Sequence, residues 1–174
     1  PVKTKPGHYL CLFHDAGRFI RKDSARQTPP VMTLFKTRST NGGLSWGQPE
    51  EIFKSADIHL CEPGVIRSPD GKTLAVLLRE NRRKKNSHII FSHDEGKSWT
   101  QPRELPITLT GDRHTGKYAP DGRLFISFRG VTPTPEFNFK DGGKNPGKMP
   151  TNGDWAGWVG TWDDLVKGSP GQYV

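Results

Sequence analysis

Sulfur and long apolar runs are what this sequence has least of. Its 174 residues include only 2 Cys and 2 Met, and hydrophobic residues make up 32% of the chain. Cys11 and Cys61 make no metal-ligand spacing and are too few for a disulfide framework, so two free, half-buried thiols are expected. No apolar run approaches the roughly 18 residues of a membrane-spanning helix, and no signal-like segment stands at the start of the chain. Asp112-Arg113-His114 joins a single carboxylate to a single imidazole, which falls short of a metal set. Neither a metal nor an organic cofactor is expected.

Turn formers are plentiful instead. The 20 Gly, 15 Pro and 5 Trp suit an all-β protein with short strands better than a helical one. A net charge of +8 and a pI near 9.7 admit nucleic acid, anionic glycans or acidic sugars as partners. The basic run Arg82-Arg83-Lys84-Lys85 has no nucleic-acid motif and no interleaved aromatics around it. It reads as a solvated loop or a rim attracting anionic glycans, with no nucleic-acid partner.

One octet organises the chain. Ser39-Thr40-Asn41-Gly42-Gly43-Leu44-Ser45-Trp46 returns 53 residues later as Ser92-His93-Asp94-Glu95-Gly96-Lys97-Ser98-Trp99. Asn41 and Asp94 can fold back onto backbone N–H groups, the glycines accept positive φ, and each tryptophan anchors the connection; the octet is therefore a hairpin turn. Short strand-like runs flank both copies, and Pro69-Asp70-Gly71 followed by Leu74 to Arg79 is echoed by Pro120-Asp121-Gly122 followed by Leu124 to Arg129. Such a period marks a repeat architecture built of small sheets.

The expected strands are 8–14, 31–37 and 45–53 in a first unit (1–55) that lacks its inner strand. A complete second unit (56–106) has 63–67, 73–79, 87–92 and 99–105. A third (107–174) has an inner strand beginning after Asp112-Arg113-His114, then 124–129 and 155–161. Trp162-Asp163-Asp164 sits where a third octet would fall but lacks its pattern, and 130–154 is too long for a plain hairpin. Alternation of strand direction sends Arg18, Asp23, Glu62, Arg79, Asp112, Arg113, His114 and Arg129 to the end opposite the octets.

The octet pattern, Ser/Thr-x-Asp-x-Gly-x-Ser/Thr-Trp, resembles the Asp-box of sialidases and other bacterial-neuraminidase-repeat proteins. The resemblance implies about three four-stranded antiparallel blades of a six-bladed sialidase-like β-propeller, hence a partial ring that is either a piece of a longer chain or one whose copies complete one another as a homo-oligomer. The stretch from Leu10 to Arg18 followed by Asp23 is similar to the sialidase segment carrying a substrate-facing arginine and the aspartate acid/base. Glu62-Pro63 through Arg79 is similar to the unit in which a glutamate polarises a nucleophilic tyrosine and an arginine seventeen positions on grips the sugar carboxylate. Arg129 is then a second clamp member, with Arg113 and His114 beside it. Tyr9, Tyr118 and Tyr173 all fall inside expected strands. The resemblance implies a secreted or periplasmic exo-α-sialidase-type glycoside hydrolase fragment acting on or recognising an anionic glycan or sialoside. A non-catalytic carbohydrate-binding or scaffold propeller fragment is the alternative.

Overall fold

A computed structural model describes residues 1–20, 31–130 and 153–172. The chain is all-β, built as three antiparallel sheets arranged like blades of a β-propeller and not closed into a ring. The first sheet runs β1 (Val2–Lys5), β2 (His8–Asp15), β3 (Thr33–Ser39) and β4 (Glu50–Lys54) in that order. The second runs β5 (Leu60–Arg67), β6 (Leu74–Glu80), β7 (His88–Ser92) and β8 (Arg103–Glu104). The third has β9 (Gly111–Tyr118), β10 (Leu124–Gly130) and β11 (Trp155–Gly160), with β10 in the middle.

Two expectations change. The first sheet has an inner strand after all: Val2–Lys5 folds back on β2 through the Pro6-Gly7 turn, Gly7 taking φ 72°. Four residues, Val2-Lys3-Thr4-Lys5, are too few to carry a strand signal by themselves, so this element rests on pairing with β2. In the third unit the chain after β11 forms a short helix, α1 (Trp162–Lys167), in place of an octet. Thr161 and Asp164 make a reciprocal capping box and Gly168 ends the helix at φ 75°. The expected long loop, 130–154, lies mostly outside the described residues, as does Tyr173.

The second sheet is covered on both faces. Leu74, Ala75, Val76, Leu77 and Leu78 on β6 are all at most 1% exposed. Alternate side chains therefore serve two cores, Leu77 and Ala75 packing toward Ile126, Phe128 and Trp158 of the third sheet, Val76 and Leu78 toward Leu34 of the first. A strand buried on both faces reads as a continuous apolar run, which is how β6 appears in the sequence. β10 alternates instead: Leu124, Ile126 and Phe128 are buried while Phe125 is 48% exposed. The inner strands β5 and β9 touch so closely that a Cβ on Gly64 would stand 2.2 Å from the His114 carbonyl oxygen. That contact sets the floor of the site described next.

Candidate functional site

Matching irregularities in β5 and β9 shape one end of the molecule. Cys61 pairs with Arg79 and Gly64 with Leu77, so Glu62 and Pro63 together face one residue of β6. Asp112 pairs with Arg129 and Thr115 with Ser127, so Arg113 and His114 face one residue of β10 in the same way. Each is a β-bulge, and each puts its first extra residue at positive φ: Glu62 at 51° and Arg113 at 58°. Non-glycine residues take this conformation at a cost and cluster at functional sites. The bulges turn side chains out of the sheet plane toward the neighbouring blade.

The result is a cluster of guanidinium groups on a buried carboxylate. Asp112 is fully buried, and its Oδ1 lies 2.5 Å from Arg83 Nη1 and 3.3 Å from Arg79 Nε. Its Oδ2 accepts from Arg83 Nη2 at 2.7 Å and from Arg129 through Nε at 3.0 Å and through Nη2. Glu62 Oε1 accepts from Arg79 Nη1 at 2.7 Å. Burial alone would raise the Asp112 pKa, but the hydrogen bonds from Arg83 and Arg129 outweigh it and hold the carboxyl below its usual value. Three guanidiniums against two carboxylates leave one positive charge in excess, and the exposed Arg113 adds another.

His14 completes the rim. It occupies in β2 the place that Arg79 holds in β6, since Tyr9–Ser39 in the first sheet corresponds to Leu74–Ser92 in the second. The Glu62 N–H donates to His14 Nδ1 at 3.3 Å, which ties the first sheet to the bulge of the second. The next residues, Asp15 and Glu80, also correspond: each carboxylate accepts from backbone N–H groups of the loop that follows, Arg18, Phe19 and Ile20 on Asp15, Arg82 and Lys84 on Glu80. These clasps fix the loops around the site. Between β2, β5 and β9 runs a cleft of about 400 Å³ lined by Phe13, His14, Glu62, Arg113, His114 and Thr115.

The expected site residues are sorted sharply by this geometry. Glu62, Arg79 and Arg129 come together. Arg113 stands exposed beside them, within β9 rather than ahead of it. His114 is turned inward: it is 4% exposed, its ring stacks on Phe128 at 5.3 Å and its Nε2 lies 3.1 Å from the Leu109 carbonyl oxygen. Burial pushes its pKa down to about 4. Arg18 lies just beyond β2, its backbone N–H on Asp15. Asp23 lies outside the described residues. Both cysteines are free, and burial raises the Cys61 thiol to about 12, which makes it inert.

Two members of the cluster were not among the expected site residues, although strand direction already puts Asp112 at this end of the molecule. Asp112 is its hub, and Arg83, read as part of a solvated basic run, is 7% exposed and bound to that hub. The signal for Asp112 was its position opposite Arg129, legible only once the bulge fixes the register. No group of three or more metal-ligating side chains occurs among the described residues.

No family model matches the chain, and no curated protein does. Solved structures do resemble it. A protein of unknown function from Dyadobacter fermentans matches with a TM-score of 0.58 at 21% identity, over 75% of this chain and 33% of that one, a likeness that bears on the fold. An intramolecular trans-sialidase from Ruminococcus gnavus in complex with oseltamivir carboxylate gives 0.43 at 20% identity, covering 58% of this chain and 22% of that one. A leech intramolecular trans-sialidase gives 0.46 at 21% identity, covering 73% and 19%. The chain thus spans about a third of the length of the first.

Proposed function

We propose that the cluster around Asp112 is the acidic-sugar site of a sialidase-like glycoside hydrolase propeller of which this chain forms part. The observation that carries the proposal is the set of three guanidiniums gathered on one buried carboxylate with positive charge left over, one of them paired with Glu62, which lines the open cleft. A guanidinium offers two hydrogen-bonding edges. Asp112 takes the Nε–Nη2 edge of Arg129, which leaves the Nη1–Nη2 edge for the carboxylate of a terminal sugar. Arg79, oriented by Glu62, stands on the other side of the same hub. In the hydrolase reading Glu62 polarises the nucleophile and Asp23 protonates the leaving oxygen, and the intact protein is secreted or periplasmic.

One observation favours recognition without turnover. The Tyr118 hydroxyl donates to the Arg67 carbonyl at 3.0 Å, and Tyr9 pairs with Ser39, both at the octet end. Among the described residues no phenol stands at the cluster.

Calorimetric titration with 3′-sialyllactose and with lactose tests the site. The sialoside is expected to bind and lactose not, and Arg129→Ala to weaken binding roughly tenfold to a hundredfold, as loss of a charge-assisted pair implies. Equal binding of lactose, or an Arg129→Ala protein that binds normally, overturns the assignment. Turnover of a fluorogenic sialoside that is lost in Glu62→Gln selects the hydrolase; binding without turnover selects the non-catalytic propeller.

A further inference from the structure

Trp155 carries an observation that neither the fold nor the arginine cluster uses. We propose that its indole is the platform of this site, on which a pyranose ring lies while Arg129 holds the ring's carboxylate; the proposal rests on the acidic-sugar reading above.

Trp155 pairs directly with Arg129 across β10 and β11. The Gly130 N–H donates to the Asp154 carbonyl at 2.9 Å, which makes Arg129–Trp155 a non-hydrogen-bonded pair, the closer of the two antiparallel spacings. Arg129 pairs in turn with Asp112, so Asp112, Arg129 and Trp155 form one row on one face across the three strands. Their side chains therefore stand about 5 Å apart along the row, the scale of a single pyranose ring.

The exposures grade along that row. The Asp112 side chain is 0% exposed, the Arg129 side chain 40%, and Trp155 69%. A ligand whose carboxylate meets the guanidinium edge has the indole face as its next contact. The other tryptophans of the third sheet and its helix are spent on structure: Trp158 is fully buried and donates Nε1–H to the Pro170 carbonyl at 3.0 Å, and Trp162 meets Phe91 edge to face. The electron-rich face of an indole attracts the weakly positive C–H groups of a sugar ring, and the ring surface excludes water from the neighbouring charge pair.

The test titrates 3′-sialyllactose and lactose into the wild-type protein, Trp155→Ala and Trp155→Phe. Because Trp155 is exposed, Trp155→Ala is expected to keep the wild-type melting temperature. It is expected to bind 3′-sialyllactose roughly tenfold more weakly, and Trp155→Phe to stay within roughly threefold of wild type. Unchanged affinity in Trp155→Ala, or a phenylalanine variant as weak as the alanine one, overturns the platform. If the wild type binds both sugars equally and Trp155→Ala weakens both, the platform stands and the acidic-sugar reading falls; if the wild type binds neither, both fall.

Discussion

Asp112 is the residue on which the site depends. Three guanidiniums within 3.3 Å of its two oxygens repel one another, and its charge, with that of Glu62 on Arg79, holds them together. Removing one partner of a buried ionic cluster leaves the others desolvated and unpaired, which costs about 3–5 kcal/mol. Asp112→Asn preserves shape and removes the charge, so it is expected to lower the urea midpoint at an unchanged m-value, the shift multiplied by m falling within that range. Lys85→Ala, at an exposed position of the same basic loop, is expected to change nothing measurable. Equal midpoints for Asp112→Asn and wild type would mean that the arginines find other counter-charges. The sequence marks Asp112 beside Arg113 and His114 but not as a hub, since its hydrogen-bonding arginines lie 17 and 29 residues away. Glu62 and Arg79 were singled out by the seventeen-residue spacing of the sialidase resemblance, and Arg129 by its place in the repeat.

At the scale of elements, the two octets show one turn put to two uses. In the first, Asn41 Oδ1 accepts from Ser45 N–H at 3.0 Å and the turn stands exposed. In the second, Asp94 accepts from Ser98 Oγ–H at 2.6 Å and from Ser98 N–H, and these bonds hold its carboxyl below the usual range. The second turn is also gripped by the first sheet: Lys36 Nζ donates to the Gly96 and Lys97 carbonyls, and an Arg38 nitrogen to that of Glu95. Gly43 and Gly96 occupy equivalent positions at φ 91° and 76°, yet a Cβ on Gly43 would meet nothing nearer than 3.8 Å, whereas one on Gly96 would lie 2.5 Å from Leu10 Cδ2. Gly43→Ala is therefore expected to cost about 1–2 kcal/mol of backbone strain alone. Gly96→Ala adds overpacking between blades and is expected to cost about 3 kcal/mol or more, read from the difference in urea midpoints. Equal losses would show that the sheets yield at this contact. The sequence displays the repeat of the turn; what it cannot display is which copy is wedged against a neighbour, because that depends on the order of sheets in space. The helix α1 was missed for a related reason: Thr161-x-x-Asp164 is a weak start signal, and six residues give too little periodicity to outweigh the expected octet.

Across the whole molecule, protonation links these parts. His14, His59, His88 and His114 all have pKa values below the ordinary 6.5, burial being the largest cause in each. His114 is lowest, at about 4. The unfolded chain takes up a proton near the ordinary value while the folded chain refuses it, so the folded state is fully favoured above pH 6.5 and loses stability as pH falls from there to about 4. Below that His114 contributes no further change, and the depressed carboxyls of Asp15 and Asp112 take over, since each loses its native advantage on protonation. For His114 alone the loss at pH 5 is about 2 kcal/mol. His114→Gln keeps an N–H for the Leu109 carbonyl and cannot titrate, so its melting temperature is expected to fall less between pH 7.5 and pH 5 than that of the wild type, even if it starts lower. The same slope in both proteins would mean that the ring escapes β9 and is solvated before it charges, and the floor of the cleft would then be looser than its packing against Gly64 and Phe128 implies.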